Sequence, residues 1–161
     1  MADAAHEQWW QVFEVVFGLP VVIAGILQIL LPLSIPFGGL MPVAAFAGAL
    51  LALVGLGFVV LARAKLARSG QPTDPGRPTS QLVTTGVFAV SRNPLYLGGV
   101  LVLAGIGLAF DLAWVLLALV PGLVACYLVL ILPEERYLSA KFTHTYPVYA
   151  KKVCRWLGRT G

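Results

Sequence analysis

Two short groups of polar residues lie beside long apolar stretches, and they contain the side chains that could support chemistry. The first group is Arg92-Asn93, followed directly by Pro94. A proline suits the first turn of a helix, where its missing N–H removes no hydrogen bond. The free N–H groups of that turn could hold a carboxylate, and Arg92 could add a bidentate contact. Phe88 and Tyr96 could cover a flat ring, so this group is a candidate ligand site.

The second group is the adjacent pair Glu134-Glu135, two of only seven acidic residues in the chain. An acid at the edge of an apolar stretch favours a role in binding a cationic or hydroxyl-bearing ligand. Both groups also have purely structural interpretations. Arg92 could extend to lipid headgroups, and Tyr96 could belong to an aromatic belt. The two carboxylates could simply favour the N-terminus of a following helix.

The composition predicts the elements that must position these groups. Hydrophobic residues make up 59% of the 161 and charged residues 11%, whereas soluble domains carry about 25% charged residues. A helix needs about 20 apolar residues to cross a bilayer. Four apolar blocks cover about residues 12–33, 41–62, 95–110 and 112–132. The third is short, and we expect Asp111 to mark the tip of a tight hairpin. The sequence therefore predicts an all-α integral membrane protein with about four transmembrane helices.

The positive charges predict the orientation of these helices. All 11 Lys and Arg fall within residues 63–94 or 133–161. With four spans these regions share one side of the membrane, and the positive-inside rule makes that side cytoplasmic. We therefore predict a single membrane domain over residues 1–161, with a cytoplasmic loop, a cytoplasmic tail and both termini inside. The Ala-, Gly- and Leu-rich composition favours a bacterial inner membrane.

Apolar residues recur at spacings of three and four along the predicted tail. They are Leu138, Phe142 and Tyr146 before Pro147, and Tyr149, Val153 and Trp156 after it. This spacing is typical of amphipathic helices and predicts two short cytoplasmic ones. Such helices could lie on the membrane surface, or they could fold back over the two polar groups.

Together, the polar groups and the tail resemble the signature of the isoprenylcysteine carboxyl methyltransferase family. The family shows LVTSG, then an aromatic residue, and then RHPxYxG. This sequence has the similar segments LVTTGVF at residues 82–88 and RNPLYLG at residues 92–98. After one hairpin the family has an acidic pair and LxxxFGxxYxxYxxxVxRW, which residues 134–156 match in order. The resemblance covers residues 81–157. It implies a small multi-helix membrane protein, related to phospholipid methyltransferases, with its cofactor pocket on the cytoplasmic side.

The resemblance also implies S-adenosylmethionine as the methyl donor, and hence an S-adenosylmethionine-dependent methyltransferase. Carried over by motif position, the donor-binding residues would be Gln81, Leu82, Val83, Phe88, Asn93, Pro94, Leu95, Tyr96 and Glu134. Phe88 would pack near the adenosine, and Glu134 would hold a polar group of the donor. The catalytic residues would be Arg92, Asn93 and Glu135, with Arg92 either supporting the site or meeting an anionic substrate.

Two positions depart from the family pattern. Thr143 replaces a Gly, and Asn93 replaces the usual His. Asn donates and accepts hydrogen bonds but cannot titrate, so an imidazole base is excluded at this position. Methyl transfer from a sulfonium is an in-line displacement, and a carboxylate or thiolate acceptor has no proton to lose. The protein mainly needs to align the reacting atoms and exclude water.

The expected acceptor is a lipophilic or lipid-tailed molecule with an isoprenylcysteine-like carboxylate. A phospholipid amine and other membrane-soluble carboxylates, amines or thiols stay open. Two other classes also stay open: an NADPH-dependent enzyme resembling the sterol reductases, and a non-catalytic membrane module. The cofactor bound would discriminate between the two enzymes.

Other partners are limited by composition. The two histidines are isolated, so no metal site is expected, and no basic patch with interleaved aromatics indicates nucleic-acid binding. Membrane lipids are the expected surroundings. Small residues of the second block, namely Gly48, Ala52, Gly55 and Gly57, permit close helix approach within one chain or between chains. The oligomeric state is therefore open.

Overall fold

The computed structural model describes residues 13–72 and 78–160. Three predictions fall partly outside these residues: the start of the first span at residue 12, the position of the N-terminus, and the loop around Arg77.

The described residues form an all-helical protein with one isolated β-bridge. Its helices are α1 (Phe13–Leu30), α2 (Met41–Arg68), α3 (Pro94–Ala109), α4 (Ala113–Ala125), α5 (Leu132–Lys141) and α6 (Thr145–Lys152). The π-helical segment Cys126–Ile131 joins α4 to α5 in one continuous helix. Three stretches are long and apolar enough to cross a membrane: Phe13–Leu30, Gly38–Arg68 and Ala113–Lys141. With the shorter apolar α3, they confirm the predicted all-α integral membrane fold.

Helix ends in the C-terminal half differ from the sequence pattern. The fourth apolar block ends near residue 132, but the helix continues through Pro133 to Lys141. Proline lacks the N–H for an ordinary helical bond, and the π-helical turns before it change the bonding pattern: the Leu132 N–H donates to the Tyr127 carbonyl. The apolar spacing also predicts helix through Trp156, which is wrong. The chain becomes extended at Val153, after the end of α6.

Glycines bring α2 and α3 into backbone contact. A Cβ atom on Gly55 would lie 2.6 Å from the Gly98 carbonyl oxygen, and one on Gly105 would lie 2.5 Å from the Gly48 carbonyl oxygen. Real Cβ atoms do not approach other atoms so closely, so only glycine fits at these positions. The small residues of α2 therefore serve packing within the chain, except Gly57, whose Cβ position has no atom within 4 Å.

Helix α1 packs against the continuous helix that begins at α4. Phe17 of α1 is 2% exposed, and its ring lies where a Cβ on Gly122 would be. The same cluster contains Cys126, Leu130 and Ile131 of the π-helical segment, all fully buried. This packing brings the start of α1 close to the start of α3, where the first polar group lies.

The ends of the helices away from the polar groups are joined by two hydrogen bonds. Asp111 lies at the tip of the α3–α4 hairpin with a φ of 54°, and its carboxylate accepts the Ile35 N–H at 2.7 Å. The Trp114 indole N–H donates to the Leu31 carbonyl at 2.8 Å. These bonds connect the segment between α1 and α2 to the hairpin tip.

The glycine contact leads to a matched pair of substitutions. Gly55→Ala places a methyl group against the backbone of α3, so we expect the free energy of unfolding to fall by about 1–3 kcal/mol. Gly57→Ala adds the same group where no atom lies within 4 Å and should leave stability nearly unchanged. Denaturant unfolding of both variants in one detergent tests this. Equal losses in the two variants would contradict the close contact.

Candidate functional site

A cavity of about 360 Å³ lies between the C-terminal end of α2 and the starts of α1, α3 and α5. Its volume is in the range of small-molecule pockets, about 300–1,000 Å³. The wall includes every residue that the resemblance implies for the donor: Gln81, Leu82, Val83, Phe88, Asn93, Pro94, Leu95, Tyr96 and Glu134. Arg92 also lines the cavity. The structure therefore brings the two polar groups of the sequence to one place.

Glu134 faces the cavity together with Tyr96. The Tyr96 hydroxyl donates to the Glu134 carboxylate at 3.1 Å, which joins the first turn of α3 to the first turn of α5. On its other side the Tyr96 ring stacks on Phe13, with 6.3 Å between centroids and 15° between planes. Aromatic and carboxylate groups thus lie side by side in the wall.

Glu135, one residue further along α5, is not among the described residues that line the cavity. Its carboxylate accepts two hydrogen bonds from Arg155, at 2.9 Å and 2.8 Å, and lies 3.2 Å from Arg92. Arg155 also lies over the Tyr127 ring at 5.0 Å. The bond to Glu135 raises the pKa of Arg155 above its ordinary value, so this guanidinium stays charged. The carboxylate therefore joins three segments of the chain.

Asn93 is 7% exposed and is held by the C-terminal segment. Its side-chain amide donates to the Arg155 carbonyl at 3.1 Å, and its own N–H donates to the Ser91 hydroxyl at 3.1 Å. Nearby, the Arg92 N–H donates to the Cys154 carbonyl at 3.1 Å. The tail thus folds back over the polar groups, which was one of the two arrangements the sequence left open. Pro94 begins α3, as its position in the sequence predicts.

Two tyrosines of α6 fix the segment before α3. The Tyr149 hydroxyl donates to the Phe88 carbonyl at 2.6 Å, and the Tyr146 hydroxyl accepts a hydrogen bond from Arg92 at 3.4 Å. Burial raises the pKa of both tyrosines above 10.0, so the hydroxyls stay protonated donors over the physiological range. Phe88 and Arg92 are thereby held in the cavity wall from behind.

The cavity wall also contains polar residues that the sequence analysis did not single out. Glu14, Arg63, Gln71 and Tyr137 come from four separate segments. Arg63 belongs to the run of positive charges after the second apolar block, and this run is the one sequence pattern that includes any of these four residues. The others have no pattern in the sequence, because only the fold places them near the two polar groups.

The charges of the wall suit a ligand with both an apolar ring and ionic groups. Glu14 and Glu134 supply negative charge, and Arg63 and Arg92 supply positive charge. The Nε atom of Arg92 is buried and has no hydrogen-bond partner within the described residues. A buried donor of this kind is costly unless a ligand accepts from it. No group of three or more His, Cys, Asp or Glu suited to a metal ion occurs in the described ranges.

Comparison with known proteins gives one family match. The model of the family described as phospholipid methyltransferase matches residues 43–145, well over half of the chain. No curated protein and no solved structure matches the chain. The matched residues include α2, α3, the continuous helix and the cavity wall between Val59 and Leu138.

Removal of the Tyr149 hydroxyl tests the tail contact and its pH dependence. Tyr149→Phe should lower the free energy of unfolding by about 1–2 kcal/mol at neutral pH, because the Phe88 carbonyl loses its donor. The folded-state pKa of Tyr149 is raised, so the unfolded chain releases this proton first, and wild-type stability is lost as the pH rises above about 10. We expect a steeper alkaline loss in wild type than in Tyr149→Phe, measured by denaturant unfolding between pH 8 and 11. Parallel losses would contradict the burial of this hydroxyl.

Proposed function

Since the chain belongs to the phospholipid methyltransferase family, we propose that its cavity binds S-adenosylmethionine and that it methylates a lipid-tailed acceptor. The family match makes the chain a membrane methyltransferase, and membership of this family implies S-adenosylmethionine as the methyl donor. One observation carries the assignment of the site. All nine residues implied for the donor by motif position line a single cavity: eight of them lie between Gln81 and Tyr96, and the ninth, Glu134, comes from α5.

The cavity wall fits the chemical groups of this donor. S-adenosylmethionine supplies a methyl group that its sulfonium already activates for transfer. Phe88 and Leu82 would cover the adenine, and Glu134, held by Tyr96, would accept hydrogen bonds from hydroxyl or ammonium groups. The Arg92 guanidinium, which lines the cavity, would donate to a carboxylate, of the donor or of the acceptor. Glu134 and Arg92 would thereby each gain a partner from the ligand.

The three residues implied as catalytic divide into two roles in this proposal. Arg92 and Asn93 line the cavity and can touch a bound molecule. Glu135 would act as a positioning residue, because its carboxylate holds Arg92 and Arg155 rather than facing the cavity. Asn93 would orient a ligand without accepting its proton, since an amide does not titrate.

A lipophilic acceptor suits the position of the cavity. Phe13, Val59 and Leu95 belong to apolar helices and line the cavity on the side where these helices begin or end. A tail could lie among them while its polar head reaches the donor. We propose a carboxylate head of the isoprenylcysteine type, because Arg63 and Arg92 can bind it and no base is needed to ionise it. Membrane lipids would surround the remaining helix surfaces.

We also propose that the cavity opens to the cytoplasm of a bacterial inner membrane and that both termini lie inside. The positive-inside rule supports this orientation, because Arg63, Lys65 and Arg68 end α2 beside the cavity. Lys141, Lys151 and Lys152 lie at the ends of α5 and α6 on the same part of the molecule. The whole chain would then be one membrane domain.

Donor binding can be measured directly by calorimetry on the purified protein in detergent. We expect wild type to bind S-adenosylmethionine and not NADPH. Glu134→Gln should weaken donor binding by about 10- to 100-fold, because it removes a charged hydrogen-bond acceptor from the wall. The matched control Arg136→Gln changes an exposed residue of the same helix and should bind as wild type does. Binding of NADPH alone, or equal binding by wild type and Glu134→Gln, would contradict the proposed site.

The acceptor class can be tested with donor carrying a labelled methyl group. We expect label in a prenylated cysteine carboxylate as a base-labile ester, and at least tenfold less in the same cysteine without its prenyl tail. Phospholipid vesicles containing primary amines serve as the alternative acceptor in the same assay. Label found only in the amine lipid would contradict a carboxylate acceptor, while methyl transfer itself would stand.

A further inference from the structure

We infer that Gln71 is a positioning residue for the donor, because its side chain holds Ser80 and Gln81, at one edge of the cavity, in place. Gln71 is 6% exposed and lies just after α2. No motif of the sequence includes it. The inference rests on the proposed function, since it assigns this edge of the cavity to binding of S-adenosylmethionine.

Both polar atoms of the Gln71 side chain form hydrogen bonds, and the partners Ser80 and Gln81 lie nine and ten residues further along the chain. Its oxygen accepts the N–H groups of Ser80 and Gln81 at 2.9 Å and 3.0 Å. Its nitrogen donates to the Ser69 carbonyl at 3.1 Å and to the Ser80 hydroxyl at 2.9 Å. One buried amide thus satisfies two backbone donors of the wall. Loss of this amide would remove both bonds and with them the connection between α2 and this end of the wall.

The end of α2 fixes the position of Gln71. Gly70 has a φ of +65°, a conformation that favours glycine. The Gly70 N–H donates to the Ala67 carbonyl at 3.0 Å, and the Gln71 N–H donates to the Leu66 carbonyl at 2.9 Å. This is the Schellman pattern of a helix C-terminus, which turns the chain sharply. The backbone of Gln71 is therefore anchored to the end of α2, and its side chain connects that end to the wall.

The wall depends on this contact because open space lies on both of its sides. Gln81 and Leu82 line the donor cavity on one side. On the other side they line a shallow groove of about 860 Å³ that also includes Ser80 and Tyr149. Leu82 packs against the cluster of Tyr146, Tyr149 and Val153, and Val83 is buried. Ser80 and Gln81 are exposed, so this end of the wall keeps its place through hydrogen bonds. If it moved into the groove, the cavity would widen and lose its fit to the donor.

The test uses two substitutions, one that removes the wall contact and one that keeps its acceptor oxygens. Gln71→Leu keeps the size of the side chain but removes all of its hydrogen bonds. Gln71→Glu keeps the oxygens that accept from Ser80 and Gln81. We expect Gln71→Leu to raise the dissociation constant and the KM for S-adenosylmethionine about tenfold, with kcat at saturating donor within about twofold of wild type. Gln71→Glu should restore most of the affinity.

Amide hydrogen exchange of the donor-free protein supplies an independent readout. Protection of the Ser80 and Gln81 amides should be lost in Gln71→Leu and retained in Gln71→Glu. Gln28→Leu is the control, because Gln28 donates only to the nearby Leu33 carbonyl at the other end of α1. It should change neither affinity nor exchange at these amides.

The outcomes separate the two proposals. Wild type that binds no donor would overturn the proposed function and the role of Gln71 with it. Wild type that binds donor, together with a Gln71→Leu variant of unchanged affinity, would overturn the role of Gln71 alone. The same holds if Gln71→Leu lowers stability and kcat but leaves the dissociation constant unchanged, since that describes a merely structural residue.

Discussion

The Glu135 carboxylate is the contact on which the arrangement of the site depends. It lies between Arg92, at the start of α3, and Arg155, in the C-terminal segment, and it accepts hydrogen bonds or an ion pair from both. The side chains of Glu135 and Arg92 are 14% and 13% exposed. Without the carboxylate, two guanidinium groups would face each other with little water between them, and breaking such pairs is strongly unfavourable. This carboxylate therefore joins the tail, α3 and α5, together with the bonds that Arg92 and Asn93 make to the tail backbone.

Two adjacent acids can serve different purposes because a helix turns about 100° per residue. Glu134 consequently faces the cavity and meets Tyr96, while Glu135 faces the tail and meets Arg155. The π-helical segment Cys126–Ile131 directly before them sets this rotation, since its wider turns shift the register of everything that follows. Its buried residues Leu130 and Ile131 pack against Phe17 and prevent the register from changing. Membrane packing and site geometry are thus determined by the same few turns.

The sequence predicted the parts of this structure that depend on local composition. Apolar blocks indicated the helices, Pro94 indicated the start of α3, and Asp111 indicated the hairpin tip. Spacing failed where long-range pairing decides the backbone: Val153 forms a bridge with Arg159 instead of continuing α6. The partners of Glu135 and the role of Gln71 could not be predicted from the sequence either, because each depends on residues that lie many positions away. Motif matching identified part of the cavity wall, whereas Glu14, Arg63 and Gln71 became visible only in the fold.

The contacts of Asn93 bear on the chemistry that the site can perform. Its amide nitrogen is used in holding the Arg155 carbonyl, and its carbonyl oxygen cannot take up a proton. This position can therefore orient a molecule but cannot act as a base. The acceptor proposed for this cavity fits that constraint, because a carboxylate is ionised in water at neutral pH and reaches the site ready to react. An ammonium acceptor would have to lose a proton first, and of the carboxylates in the wall Glu134 already accepts a hydrogen bond from Tyr96. The identity of residue 93 thus favours an acceptor whose proton is lost before it enters the protein.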